Sequence, residues 1–246
     1  MEQRTSLSKT MSKTDVFALA FGAMIGWGWV VLANNWLEMG GPLGTTVAFS
    51  LGALMCVVVS LVYAELTSAM PVAGGPVAFT YRGLGPKWSW VTGWILTLAY
   101  VSVAAWESVA ITAALDYIVP LPKLLPLWTI AGEQVYLTWC VPGLVFTMLI
   151  TYLNVRGTRL SVLVQSAATS LLLVAGILFV VVSALKGNTD NVSPVWVSTS
   201  GMASVLMMVP FMMVGFDVIP QSAEETRLPH RSIGRLLVVS VLAAAV

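Results

Sequence analysis

The sequence predicts an all-α integral membrane protein, and three observations carry that prediction. The 246-residue chain is 58% hydrophobic and only 9% charged, where soluble domains average about 25% charged. Six apolar stretches reach the roughly 20 residues that a bilayer crossing requires. They cover 16–37, 43–69, 88–119, 136–154, 160–185 and 202–221, and a seventh opens near Ile233. The loops between them alternate in basic charge.

On one side lie Arg4, Lys9 and Lys13, then Arg82 and Lys87, then Arg156 and Arg159, then Arg227, Arg231 and Arg235. The other side holds only Lys123 and Lys186. Positively charged loops stay in the cytoplasm, so the N-terminus is expected there, in a multi-pass protein of the cell membrane. One missed span would scramble this alternation, so the charges also support the span count. The polar first residues lack a small-residue cleavage pattern, so the first span reads as uncleaved. Lipid is the expected surroundings. The net charge of +1 gives no ground for a nucleic-acid partner.

Taking the spans in order, the first contains Gly22, Gly26 and Gly28 within seven residues. Glycine tolerates unwound backbone and leaves its N–H groups accessible. The start of a following half-helix adds positive potential, a combination that suits an anion such as a carboxylate. Helix packing is the other reading of these glycines. In the second span, Gly44, Ala48 and Gly52 form a small-residue stripe that lets another backbone approach closely. Trp88, Trp90 and Trp94 open the third as an interfacial belt, matched by Trp128, Trp139 and Trp196 at the opposite ends. Glu107 shares a face of that third helix with Tyr100. It either lines a pathway and relays protons or is a hydrogen-bonded carboxyl in a helix interface. Residues 120–134, with Pro120, Pro122 and Pro126, are expected to form a connection with little regular structure. On the fifth span, Ser161, Gln165 and Thr169 make a polar stripe suited to interhelical hydrogen bonds.

The sixth span reads Phe211-Met-Met-Val-Gly-Phe-Asp-Val-Ile-Pro220. A carboxylate within a span costs about 2.5–3.5 kcal/mol on insertion scales and marks function by default. For Asp217 the alternative is a pairing with a loop arginine. Non-helical backbone at membrane depth is tolerated where it is buried in protein or lines a cavity. A matched pair of such breaks is the sequence mark of a carrier's binding site. Cys56 and Cys140 sit in apolar runs and His230 in a charged loop, so neither a metal site nor a cofactor is expected. An intramembrane enzyme would need converging His, Asp, Ser or Cys groups, which this pattern does not supply, so no enzymatic activity is expected.

These breaks resemble those of the amino acid–polyamine–organocation superfamily of permeases. Gly22-Ala-Met-Ile-Gly-Trp-Gly28 resembles its glycine-rich break in helix one. The stretch from Tyr63-Ala-Glu through Pro71-Val-Ala-Gly-Gly-Pro76 to Gly85 is similar to the signature after helix two. Asn154-Val-Arg-Gly157 and Phe211 through Glu225 match further segments. The resemblance implies a transporter fold of two inverted five-helix repeats with broken helices one and six, the first repeat covering 15–187 after a cytoplasmic tail at 1–14. Residues 188–246 would then begin the second repeat, and the rest of that repeat would be needed for transport. It further implies a secondary active transporter of amino acids or related amines, working by alternating access with proton coupling or exchange. A sensor or channel on the same fold is the alternative. Substrate-binding residues implied by position are Gly22, Ile25, Gly26, Trp27, Gly28, Phe211, Val214 and Gly215, with the backbone of Ile25 to Gly28 for the carboxylate and the carbonyls of Phe211 and Val214 or their neighbours for the amine. Phe211 would also close over the substrate. Asp217 and Glu107 are assigned to proton coupling or gating. Trp27 and Trp29 depart from the small residues usual there. The helix-five lysine of many members has no counterpart between Ala168 and Val174.

Overall fold

A computed structural model describes residues 9–130 and 132–245; Arg4, with most of the expected tail, lies outside the described residues. Helix α1 (Lys13–Met24) starts at a reciprocal cap. The Ser12 N–H donates to Asp15 Oδ2 at 2.9 Å, and the Asp15 N–H donates back to Ser12 Oγ at 3.3 Å. This arrangement satisfies two donors that a helix start otherwise leaves open. The helix ends at Ile25, whose backbone is extended. Helix α2 then runs Trp27–Ala69 and is kinked at Gly41 (φ 70°), with Pro42 following. The stretch at 16–37, expected to be broken at its glycines, is two helical pieces separated at Ile25–Gly26.

Short helix α3 (Pro76–Leu84) and long α4 (Pro86–Ile118) come next. The connection expected to lack regular structure instead contains an antiparallel hairpin, β1 (Pro126–Ile130) with β2 (Glu133–Tyr136). Pro120 and Pro122 precede β1 and Pro126 opens it opposite Tyr136, and the register shifts between Pro126 and Thr129, as suits a proline confined to a strand's first residue. Helices α5 (Leu137–Val155), α6 (Thr158–Lys186) and α7 (Thr199–Met212) follow. The one-turn helix α8 (Val218–Gln221) and α9 (His230–Ala245) complete the described chain. The sixth stretch is therefore also two pieces, α7 and α8, parted at 213–217.

Among the described residues, four helical segments are long and apolar enough to cross a membrane: 28–69, 86–118, 137–155 and 160–186. Their apolar side chains are largely exposed, as at Leu171, Ile177 and Phe179 on α6. Large apolar side chains facing outward along a whole helix fit lipid as the solvent.

Two compact units are distinguishable, one of residues 9–25, 34–93 and 162–245, the other of 26–33 and 94–161. In the first, Val16 and Ala20 of α1 share a core with Ile219 of α8 and Ile233, Leu236 and Leu237 of α9. The N-terminal segment is tied to the chain after α8. The Thr10 and Met11 N–H groups donate to the Glu225 carbonyl (2.9 and 3.1 Å), and the Arg227 N–H donates to the Met11 carbonyl (3.1 Å). The small-residue stripe on α2 faces α7: Gly44 lies against Met202 and Trp196, and Gly52 against Val209. In the second unit, Gly143 of α5 rests on the Ser108 carbonyl of α4, and Ser108 and Thr147 share a hydrogen bond of 2.6 Å.

Candidate functional site

The break between α7 and α8 belongs to the first unit and is built around Gly215. Its φ is 130°, a region that side-chain-bearing residues rarely adopt. It is also where the break meets helix one: a Cβ on Gly215 would lie 2.6 Å from the Ala23 carbonyl carbon and 2.7 Å from its oxygen. Gly22 and Ala23 thus sit in the last turn of α1 against the sixth-helix break. The neighbouring Ile25 N–H donates to the Phe21 carbonyl at 2.9 Å, closing that turn.

Around the break the backbone makes local turns. The Val214 N–H donates to the Phe211 carbonyl at 3.3 Å, and the Val218 N–H to the Gly215 carbonyl at 3.1 Å. Each carbonyl has a second lone pair to offer. Phe211, expected as an aromatic lid, is 41% exposed. Asp217 is only 8% exposed and stands at the start of α8, where Gln221 Nε2 donates to its Oδ2 at 3.2 Å. Pro220 inside α8 brings no N–H. Beside the acid, the Tyr63 ring meets Phe216 edge-on at 5.6 Å and Phe79 at 6.4 Å. A buried carboxylate costs several kcal/mol unless polar partners such as Gln221 offset its lost water.

The signature stretch folds onto this half. The Ala73 N–H donates to Glu224 Oε1 at 2.8 Å, and Gly75 packs on Pro220 and Gln221. Tyr63, Gln221 and Glu224 were not singled out as site residues by the sequence. Glu224 lies 151 positions from Ala73, and only the resemblance of Phe211 through Glu225 points near it. The polar stripe on α6 acts between helices: Thr169 donates its hydroxyl to the Ala18 carbonyl at 3.2 Å, and Gln165 and Thr169 border Gly22.

The helix-one break proper, Gly26 to Gly28, belongs to the second unit and faces α4. A Cβ on Gly26 would lie 2.6 Å from Glu107 Oε1 and 2.9 Å from both Oε2 and Cδ. One on Gly28 would lie 2.6 Å from Trp106 Nε1 and 3.3 Å from Glu107 Oε1. The Trp29 N–H donates to the Gly26 carbonyl at 3.3 Å. At the start of α2 the first N–H groups have no acceptor within their own helix, and the Glu107 carboxyl lies against that backbone. The Trp27 side chain is outside what the structure describes. Among the described residues, no cluster of three or more His, Cys, Asp or Glu side chains is placed to hold a metal ion.

Apolar, lipid-exposed helices interrupted at the first and sixth stretches define a multi-pass membrane protein with discontinuous helices, the architecture of secondary transporters. The chain belongs to the amino acid permease family, whose profile matches residues 12–246. It is 30% identical over 98% of its length to the branched-chain amino acid permease BcaP of Bacillus subtilis, covering 53% of that protein. It is 28% identical over 98% of its length to the methylthioribose transporter of Bacillus subtilis, covering 54% of it. It is 30% identical over 93% of its length to the chloroplastic cationic amino acid transporter 9 of Arabidopsis thaliana, covering 42%. The chain therefore spans about half the length of the curated relatives it matches. Those relatives are transporters and permeases by name.

Proposed function

We propose that the protein is a secondary active transporter of amino acids or related amines, working by alternating access with proton coupling or exchange. The observation that carries this reading is the buried Asp217 in a helix-six break that packs, through Gly215, on the end of α1. Its support is the family match along nearly the whole chain. The relatives named for branched-chain and cationic amino acids favour an amino acid as the substrate.

In this reading the backbone of Gly26, Trp27 and Gly28 takes the substrate's carboxylate, with Gly22 and Ile25 shaping its approach. Phe211 and Val214 offer carbonyls to the amine beside Gly215. Residues 15–187 form the first repeat and 188–246 open the second. The N-terminus is cytoplasmic in the cell membrane, so Asp217, on the α8 side of the break, takes its proton from the cytoplasmic half of the path.

The test is uptake of labelled leucine and arginine by proteoliposomes of the full-length protein, with unlabelled competitors, with and without a pH gradient. Saturable uptake with exchange is expected. Asp217→Asn should abolish the response to the gradient while leaving the protein correctly inserted. An Asp217→Asn variant with the wild-type gradient response would remove Asp217 from the coupling. Absence of saturable uptake for the whole panel would remove the transport reading.

A further inference from the structure

The side-chain space over the helix-one glycines is already occupied by the protein's own carboxyl. Both oxygens of Glu107 lie within 2.9 Å of the point where a Gly26 Cβ would stand, and Oε1 reaches to 3.3 Å of the corresponding point on Gly28. These are the two glycines whose bare backbone was read as the anion site. Beside them, Trp106 Nε1 is buried with no hydrogen-bond partner among the described residues, 2.6 Å from the Gly28 point. A buried indole N–H without an acceptor is costly and ordinarily finds one. The cradle therefore gathers the first amides of α2, one indole donor with unused capacity, and an acceptor that the chain itself supplies.

We infer that Glu107 is a specificity-determining residue, a built-in competitor that a substrate carboxylate must displace from the Gly26–Gly28 backbone. This rests on the reading that those glycines bind the substrate's carboxylate. The competition follows from space and charge together. A substrate carboxylate drawn to the Gly26–Gly28 backbone meets the Glu107 carboxyl in the space directly over those glycines, and like charges that close repel strongly in a low-dielectric site. A substrate carboxylate that enters pushes Glu107 aside and gives Trp106 Nε1 its missing acceptor. A ligand with an amine and no carboxylate leaves Glu107 where it is. Glu107 thus taxes anionic ligands and spares cationic ones, whatever the side chain.

The experiment uses the full-length permease in proteoliposomes with labelled leucine. The competitors are 4-methylpentanoate, which is leucine without its amine, and 3-methylbutylamine, which is leucine without its carboxylate. Glu107→Gln keeps the shape and removes the charge. Its ratio of acid to amine inhibition constants should move toward the acid by about tenfold or more, the scale of one charge-assisted hydrogen bond. Glu107→Asp, which withdraws the carboxyl by one methylene, should move the ratio the same way by a smaller factor, and serves if the glutamine variant does not insert. Trp106→Phe should weaken the acid alone. A ratio that stays at the wild-type value in both Glu107 variants, with leucine uptake intact, overturns this inference and leaves the transport reading standing. Wild-type protein that takes up no leucine and no competing amino acid overturns both.

Discussion

Replacing Gly215 with alanine tests how the sixth-helix break is held. Two costs are readable from the geometry. A φ of 130° is outside the space open to alanine, and holding a residue there costs about 1–3 kcal/mol. The new methyl carbon would also lie 2.6, 2.7 and 2.8 Å from the Ala23 carbonyl carbon, its oxygen and the Ala23 Cβ. Two of those three atoms are backbone in the last turn of α1, and none is the end of a flexible side chain. Forcing one carbon into such a contact costs about 1–3 kcal/mol. The sum is roughly 2–6 kcal/mol, which at about 2 °C per kcal/mol for a chain of this size lowers the melting midpoint by roughly 4–12 °C. The assay is thermal unfolding of the detergent-solubilised full-length protein. Gly176→Ala on α6 is the control, since nothing stands within 4 Å of its Cβ position; alanine in a helix interior should be neutral or stabilise by up to about 1 kcal/mol. Ala23→Gly removes one of the three clashing atoms, so it should rescue Gly215→Ala only in part. If Gly215→Ala melts within a degree of wild type, or no lower than Gly176→Ala, the close packing of the break on α1 is refuted.

Two more variants probe the supports of the site. Asp15 is held below its ordinary pKa by the Ser12 hydroxyl first, then by the Ser12 N–H and the nearby Arg227 charge. A carboxyl whose folded pKa is depressed stabilises the fold above its unfolded value and loses that contribution as pH falls through the folded one. The melting difference between wild type and Asp15→Asn should therefore be largest above about pH 4 and close as the pH drops further; a difference that grows on acidification contradicts the cap. Thr169→Val removes the hydroxyl that donates to the Ala18 carbonyl and should cost about 0.5–1.5 kcal/mol in the same melting assay, with no measurable loss pointing to a stripe that does not bridge helices.

Much of the fold was legible along the chain because a bilayer leaves few solutions. Each span must satisfy its own backbone hydrogen bonds, so apolar length and basic-loop alternation gave the helices without reference to any partner. The interruptions were legible for the same reason: Gly26, Gly28, Gly215 and Pro220 are local chemistry that a helix in lipid tolerates poorly. The hairpin at Pro126–Tyr136 was not legible, because three prolines within the 120–134 connection favour a loop on composition and only cross-strand pairing overrules them.

The sequence by itself determined the all-α membrane class, the family and the positions of both breaks, since each depends on residues near one another in the chain. Only the tertiary structure decided what each break faces. Gly215 meets Ala23, Tyr63 packs on Phe216 beside Asp217, Glu224 takes the Ala73 amide, and Glu107 fills the space over Gly26. These pairs are separated by some 80 to 190 positions, and no local pattern fixes the rotation of one helix about its axis against another. Side-chain packing sets that rotation. It turned Glu107 from a residue with two open readings into a carboxyl seated on the helix-one glycines.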